Sequence, residues 1–152
     1  YLFGSPHGRA ASAGFLGLRG WHDRGDMLRA VIEGIAFNHR VHVDALREGF
    51  ATREARLTGG ISRNPTFVQI FADVLAMPLT VTETEEAAAW GAALCASPRH
   101  DPRDLAALGR TYRPDPERSA AMDKRYRLHC DIADHLAEAW PSIEALAEGG
   151  ER

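Results

Sequence analysis

The sequence has few of the features that mark a membrane-spanning, disulfide-bonded or nucleic-acid-binding protein. No run of apolar residues approaches the length needed to cross a membrane. Only two cysteines are present, Cys95 and Cys130, and they lie far apart in predicted helices. We therefore expect reduced core residues of a cytoplasmic protein rather than a disulfide. The formal net charge is -3 and the arginines are scattered, so the basic surface typical of nucleic-acid binding is missing.

What remains is the composition of an ordinary globular domain. The chain has 152 residues, of which 45% are hydrophobic and 26% are charged, and this is enough to bury a core as one domain. It opens at Tyr1 with Tyr-Leu-Phe-Gly-Ser-Pro and has no initiator methionine. We therefore expect it to be a piece of a longer protein.

The most informative segment covers residues 57–65, Leu-Thr-Gly-Gly-Ile-Ser-Arg-Asn-Pro. A short strand ends in Gly59 and Gly60, whose bare backbone lets a ligand approach the N–H donors closely. Asn64 is suited to cap a helix that begins at Pro65. Because a helix N-terminus favours an anion or a polar ring system, the segment predicts a nucleotide site. Two alternatives stay open: the glycine pair also suits a plain tight turn, and Asn64 also suits a cap that touches no ligand.

Strands and helices alternate along most of the chain, which predicts an α/β fold with helices covering a mainly parallel sheet. A long apolar stripe predicts a helix with Asp26 as its cap and Gly49 at its end. The other predicted elements are strands over Phe15–Leu18, Arg56–Thr58 and Leu79–Thr82, and helices from Pro65 to before Pro78, over Ala87–Ala96, and from near Ser119 to Pro141. We divide the chain into an α/β core (1–97), an irregular connection rich in proline and arginine (98–118) and a helical tail (119–152).

Several charged and aromatic residues invite a functional interpretation. Glu33 and Asp73 follow helical stripes and nothing in the sequence pairs them across a cleft, so solvated or interface roles are favoured over catalytic ones. Trp21 and His22 precede the long helix, where they either border a ligand cleft or seal the turn against the core. We favour the seal. No set of ligands has the spacing of a metal site.

The glycine segment belongs to a longer ordered series. The series comprises Ala-Gly-Phe-Leu-Gly-Leu at 13–18, Asp-Met-Leu-Arg-Ala-Val-Ile-Glu at 26–33, Thr-Gly-Gly at 58–60 with Asn64 and Gln69, Ala-Asp-Val-Leu at 72–75, Trp-Gly-Ala-Ala-Leu at 90–94 and Tyr-Arg-Pro-Asp-Pro at 112–116. In order and spacing it resembles the C-terminal domain of the FGGY carbohydrate kinases, over nearly the whole chain.

The resemblance implies an actin-like (ribonuclease-H-like) ATPase lobe of the α/β class, incomplete in this chain. It implies that Gly60 and Asn64 hold the adenine nucleotide, with Gly59 and Ser62 shaping the loop. ATP and magnesium are the implied cofactors, while the catalytic aspartate, the phosphate-binding loops and the metal ligands are implied to lie upstream of Tyr1. We therefore expect this chain alone to show no kinase turnover, because phosphoryl transfer needs those groups.

The sugar is implied less directly. The opening Tyr-Leu-Phe-Gly-Ser and Gly-Trp-His at 20–22 look most like the L-xylulose kinase branch, so a ketopentose such as L-xylulose is expected; other pentulose, polyol or fuculose kinases stay open. A different class, a non-catalytic actin-like nucleotide-binding or interaction module, also stays open, as does a structural fragment that binds no ligand. We expect a homo-oligomer, because absent strands leave sheet edges and apolar faces uncovered. No membrane or nucleic-acid partner is expected.

Overall fold

The computed structural model describes residues 11, 13–83, 86–96 and 108–148. In chain order the elements are α1 (Arg24–Gly49), β1 (Ala55–Leu57), α2 (Pro65–Leu75), β2 (Leu79–Thr82), α3 (Ala87–Ala96), β3 (Leu108–Tyr112), α4 (Pro116–Leu136) and α5 (Trp140–Glu148). A 3₁₀ turn, Gly60–Arg63, lies between β1 and α2. The opening Tyr-Leu-Phe-Gly-Ser and the first half of the 98–118 connection lie outside the described residues.

The three strands form one mixed sheet in the order β1-β2-β3. β1 and β2 are parallel, with Ala55 opposite Leu79, and α2 makes the crossover between them. β3 is antiparallel to β2, with Tyr112 opposite Leu79. The prediction of an irregular connection is therefore wrong over 108–112, and the sheet is not wholly parallel. β3 was hard to recognise because it is an edge strand in which only Tyr112 is buried, so it lacks a strong apolar pattern.

Helix α2 lies at the centre of the core. Seven of its eleven residues are buried, and Val68, Phe71 and Val74 are among the largest fully buried side chains. α1 contributes Phe37 to this core and α4 contributes Met122. Each such side chain stabilises the fold by about 1.5–3 kcal/mol through the area it removes from water. The position of α2 is therefore set by α1, α4 and the sheet together.

Two arginines of α1 hold the C-terminal end of α2. The Arg40 Nη1 donates to the carbonyl of Val74 at 3.2 Å, and the Arg47 Nη2 donates to the carbonyl of Leu75 at 2.8 Å. Carbonyls in the last turn of a helix have no intrahelical partner, so these contacts satisfy them. The helix that follows the glycine segment is thus tied to α1 at its far end.

Helix α1 begins earlier than the sequence predicts. Its cap is Asp23, whose Oδ1 accepts from the N–H of Gly25 at 2.7 Å and from that of Asp26 at 3.0 Å. The Asp26 Oδ2 accepts in return from the Asp23 N–H at 3.1 Å, which completes a capping box. The prediction that Asp26 caps the helix is therefore wrong, because the apolar stripe begins only after the first residues of α1, which are not apolar. The predicted end at Gly49 is confirmed.

Three further predictions need correction. Residues 15–18 form no strand, and the side chains of Phe15, Leu16 and Leu18 are exposed. α4 begins at Pro116 rather than near Ser119, because Asp115 caps it by accepting from the Arg118 N–H at 2.9 Å. The predicted final helix is two helices, separated by residues 137–139 just before Pro141.

The cysteines are free, as predicted, although Cys95 is exposed and only Cys130 is half-buried. The prediction that both belong to the core is wrong for Cys95, because α3 has no buried residue among those described. Within the described ranges, no helix is both long and apolar enough to cross a membrane.

Candidate functional site

The glycine loop, residues 58–64, follows the carboxyl end of β1 and leads directly into α2. Gly59 has φ +86°, a left-handed conformation that favours glycine, and Gly60 begins the 3₁₀ turn. A Cβ added at either glycine would meet no atom within 4 Å. The glycines are therefore not needed for close packing against the part of the chain that the structure describes, and Gly60 is exposed.

The loop is shaped by its own hydrogen bonds. The Ser62 hydroxyl donates to the carbonyl of Gly59 at 2.7 Å, and the Ser62 N–H donates to the same oxygen at 3.1 Å. The first N–H groups of a helical turn lack an intrahelical acceptor, and no described loop residue accepts from the N–H of Gly60 or Ile61. These two backbone donors therefore have no acceptor among the described residues.

Asn64 uses its two side-chain atoms differently. Its Oδ1 accepts from the N–H of Thr66 at 3.0 Å and from that of Phe67 at 3.2 Å, so the predicted cap on a helix that begins at Pro65 is confirmed. The amide nitrogen is a donor group that takes no part in the cap. Asn64 is exposed, and the glycines lie four and five residues before it in the same loop. Capping and ligand binding are therefore compatible in one side chain.

The carboxyl ends of the parallel strands meet beside the loop. The Thr82 hydroxyl, at the end of β2, donates to that of Thr58 at 3.0 Å. The Arg63 guanidinium reaches the carboxylate of Glu86, just before α3, at 3.2 Å, although both side chains are exposed and such a pair contributes little to stability. In α/β sheets this carboxyl edge is where ligands bind.

A separate concavity of about 360 Å³ lies against the first turns of α2. Pro65, Thr66 and Gln69 line it, but Gly59, Gly60 and Asn64 do not. The four predicted binding residues thus lie close together in the loop but outside this concavity.

Glu33 and Asp73 are both buried, with exposed fractions of 7% and 2%. Each pairs with an arginine of α4: Arg125 with Glu33, and Arg118 with Asp73. A solvated role is therefore wrong for both, because each carboxylate is buried against α4. The sequence could not show these pairs, because the partners lie 92 and 45 residues away.

Trp21 does not seal its turn against the core. Its side chain is 75% exposed, and its ring lies near His22, with the centroids 5.8 Å apart. His22 instead fixes the turn, because its Nδ1 accepts from the Arg19 N–H at 2.8 Å. The favoured seal is therefore wrong in this chain. The cleft alternative stays a prediction.

Comparison with known proteins bears on the family and the fold. The sequence model of the FGGY family of carbohydrate kinases, C-terminal domain, matches residues 3–98. The chain is 32% identical over 154 residues to L-xylulose/3-keto-L-gulonate kinase of Escherichia coli (strain K12), covering 95% of this chain and 30% of that protein. It is 37% identical over 131 residues to ribulokinase of Mycolicibacterium smegmatis, covering 80% and 23%.

A solved structure extends the likeness to the fold. The crystal structure of xylulose kinase from Rhodospirillum rubrum superposes with a TM-score of 0.73 at 29% identity, covering 86% of this chain and 28% of that one. The chain belongs to the FGGY family of carbohydrate kinases, in its C-terminal domain. The predicted fold, an incomplete actin-like ATPase lobe of the α/β class, is confirmed. The chain spans less than a third of these relatives' lengths.

Proposed function

We propose that this chain is the ATP-binding part of a cytoplasmic sugar kinase and that the adenosine of ATP lies against the glycine loop. The observation that carries the proposal is the open loop at the carboxyl edge of β1 and β2, with bare backbone at Gly59 and Gly60. Membership of a kinase family supports the proposal, because the matched residues 3–98 include this loop. The cytoplasmic location is supported by the two free cysteines.

Each proposed binding residue has a distinct task. Gly60 lets the ligand approach the free N–H groups, and Gly59 supplies the left-handed turn that presents them. The Asn64 amide donates to a ring nitrogen of adenine, while its carbonyl oxygen stays on the cap. Ser62 holds the turn through its bond to Gly59. The loop therefore binds and orients the nucleotide but moves no proton.

The remaining chemistry is proposed to come from elsewhere in the enzyme. Phosphoryl transfer needs a base to orient the sugar hydroxyl and cations to neutralise the transferring group. Among the described residues no three histidine, cysteine, aspartate or glutamate side chains are grouped to hold a metal ion. We propose that the catalytic base and the magnesium ligands belong to residues outside this chain, which alone transfers no phosphate.

For the sugar we propose a ketopentose such as L-xylulose. The Escherichia coli relative is named for L-xylulose and 3-keto-L-gulonate, while the Mycolicibacterium relative is named a ribulokinase. Because relatives within the one family are named for different substrates, family membership does not select among these sugars. A panel of pentuloses, polyols and glycerol, assayed with the longer enzyme, tests this choice.

Binding of a fluorescent ATP analogue to this chain tests the nucleotide site. We expect saturable binding that Gly60→Val weakens, because a branched side chain occupies the space where the nucleotide lies. Gly49→Val is a matched control, since Gly49 also has open space around it but lies at the far end of α1. Equal affinity in the wild type and in Gly60→Val would remove the loop from the site.

A second candidate function, a non-catalytic actin-like interaction module, is favoured by α3. This helix is almost wholly apolar, yet none of its described residues is buried, and Trp90 is 43% exposed. Such a surface favours association, here into a homo-oligomer. A concentration-dependent oligomer in light scattering with no nucleotide binding would support this candidate, and a monomer that binds ATP would support the kinase lobe.

A further inference from the structure

Helix α2 carries a buried carboxylate that the proposed nucleotide contacts do not use. Asp73 is 2% exposed, and its oxygens accept three hydrogen bonds. The donors are the Asp115 N–H at 2.9 Å, the Arg118 Nε at 2.8 Å and the Gln69 Nε2 at 2.9 Å. Two of these donors come from the start of α4, so the carboxylate joins α2 to a segment more than forty residues away.

Gln69 adds a second link on the same face of α2. It lies four residues before Asp73, one turn nearer the glycine loop, and i,i+4 side chains share a helix face. Its Nε2 donates both to Asp73 and to the carbonyl of Arg113 at 2.9 Å. The segment 113–118 is therefore held to α2 at three points, through Arg113, Asp115 and Arg118.

These contacts restrain α2 in a way that its apolar packing does not. Hydrophobic contacts are non-directional, so they allow a helix to rotate or slide slightly. Hydrogen bonds to a buried carboxylate fix both distance and angle, and an unmade bond there is costly. The N-cap of this short helix is Asn64. A small rotation of α2 would therefore turn the Asn64 amide and the adjoining glycines to a new direction.

We propose that Asp73 is a positioning residue for the glycine loop, which acts through Gln69 and α2 to fix the direction in which Asn64 and Gly60 face the nucleotide. The proposal rests on the proposed nucleotide site. Asp73 itself touches no nucleotide in this arrangement. Its loss is expected to change ligand affinity by moving the loop and not by removing a contact.

Glu33 provides a matched control. It is also a buried carboxylate tied to an arginine of α4, with Arg125 Nη1 at 2.9 Å from its Oε2. It lies on α1, however, and none of its recorded partners belongs to α2. Asp73→Asn and Glu33→Gln therefore both remove a buried charge at the α4 interface, while only the first weakens hydrogen bonds made by α2; Arg40 and Arg47 still hold the C-terminal end of α2.

The experiment compares these two variants of this chain by nucleotide affinity and by NMR. The NMR signals are the backbone amide of Gly60 and the side-chain amide of Asn64, recorded without ligand. We expect Asp73→Asn to shift both signals and to raise the Kd for a fluorescent ATP analogue about tenfold, the effect of one loop–nucleotide hydrogen bond weakened because the loop has turned. Glu33→Gln should leave the two signals and the Kd unchanged, even where it lowers the melting temperature as much.

If Asp73→Asn and Glu33→Gln gave the same two NMR signals and the same Kd, the positioning role would be overturned and Asp73 would be a purely stabilising residue. Gln69→Met keeps the Asp73–Arg118 pair and serves where Asp73→Asn does not fold; it should shift the same two signals, and no shift would equally overturn the proposal. If the wild type binds no ATP analogue, the proposed function fails. The two NMR signals would still decide whether Asp73 sets the direction of the loop.

Discussion

The Nη1 of Arg125 on α4 donates to both carboxylate oxygens of Glu33 on α1, at 3.0 Å to Oε1 and 2.9 Å to Oε2. Glu33 is buried, while Arg125 keeps more than half of its side chain exposed. The pair joins two helices that are distant in sequence and that both flank α2. It therefore belongs to the frame around the glycine loop and not to the loop itself.

Breaking this pair should destabilise the chain. We expect Glu33→Gln to lower the free energy of unfolding by about 1–2 kcal/mol, because a buried, hydrogen-bonded charge is lost and its partner stays half in water. Urea unfolding measures this value. Arg29→Ala is the control: Arg29 also contacts Glu33, at 2.8 Å, as an i,i+4 pair on the same helix, and its loss leaves Glu33 paired with Arg125, so a smaller change is expected. Equal losses in both variants would contradict the assignment.

Two substitutions at Asn64 separate its capping role from its proposed role in ligand binding. Asn64→Ala should cost about 1 kcal/mol of stability, because Thr66 and Phe67 lose their acceptor. Asn64→Asp keeps an acceptor and should be nearly neutral in stability, but it replaces the amide donor by a negative charge. We expect it to weaken ATP-analogue binding about tenfold. Thermal unfolding and a binding titration check the two effects separately. Unchanged affinity in Asn64→Asp would reduce Asn64 to a cap.

The two glycines should respond differently to alanine. Gly59→Ala is expected to destabilise the chain by about 1–2 kcal/mol, because Gly59, unlike Gly60, has a positive φ. Gly60→Ala should be nearly neutral in the free chain, since its Cβ would meet open space. Denaturant unfolding of both variants distinguishes backbone strain from ligand contact. A larger stability loss in Gly60→Ala than in Gly59→Ala would show that the loop has a different conformation.

The acid side of the stability profile should depend on Asp123. Its hydrogen bond to Arg40, with Nη2 to Oδ1 at 2.6 Å, holds the pKa of Asp123 below its usual value. A lowered pKa in the folded state stabilises the protein above the unfolded pKa, and this contribution is lost as pH falls through the folded pKa. The difference in free energy of unfolding between the wild type and Asp123→Asn should thus be largest near neutral pH and should shrink below about pH 4.

Urea midpoints recorded across this pH range test the dependence on Asp123. Asp131→Asn, at an exposed position of the same helix, controls for a general change in charge. A difference between the wild type and Asp123→Asn that stays constant from neutral to acidic pH would contradict the assignment.

The features that could be predicted from the sequence are local ones. The cap at Asn64 and the helix beginning at Pro65 follow from residues next to each other, and both are confirmed. The strand over Leu79–Thr82 and the helix over Ala87–Ala96 also agree with the structure. The four loop residues lie together because they are close in sequence, so no long-range contact was needed to predict that they are neighbours. Their role in binding nucleotide stays a prediction.

The features that were missed depend on distant partners. Glu33 and Asp73 carry ordinary helical patterns, and only the packing of α4 shows that each is buried against an arginine. β3 has too few buried side chains to show the alternating pattern of a strand, and the seal predicted for Trp21 is wrong because its side chain is exposed. A pair such as Asp23 and Asp26 could have indicated the true start of α1, since the two lie three residues apart as a capping box requires.

The central claim is that adenosine lies against the glycine loop, and a structure of this chain with ADP bound tests it most directly. The account predicts the adenine in contact with the backbone of Gly59 and Gly60, within hydrogen-bond distance of the Asn64 amide nitrogen, while the Asn64 carbonyl oxygen still caps α2. ADP bound at any other surface of the chain, with these three residues turned away from it, would contradict the account.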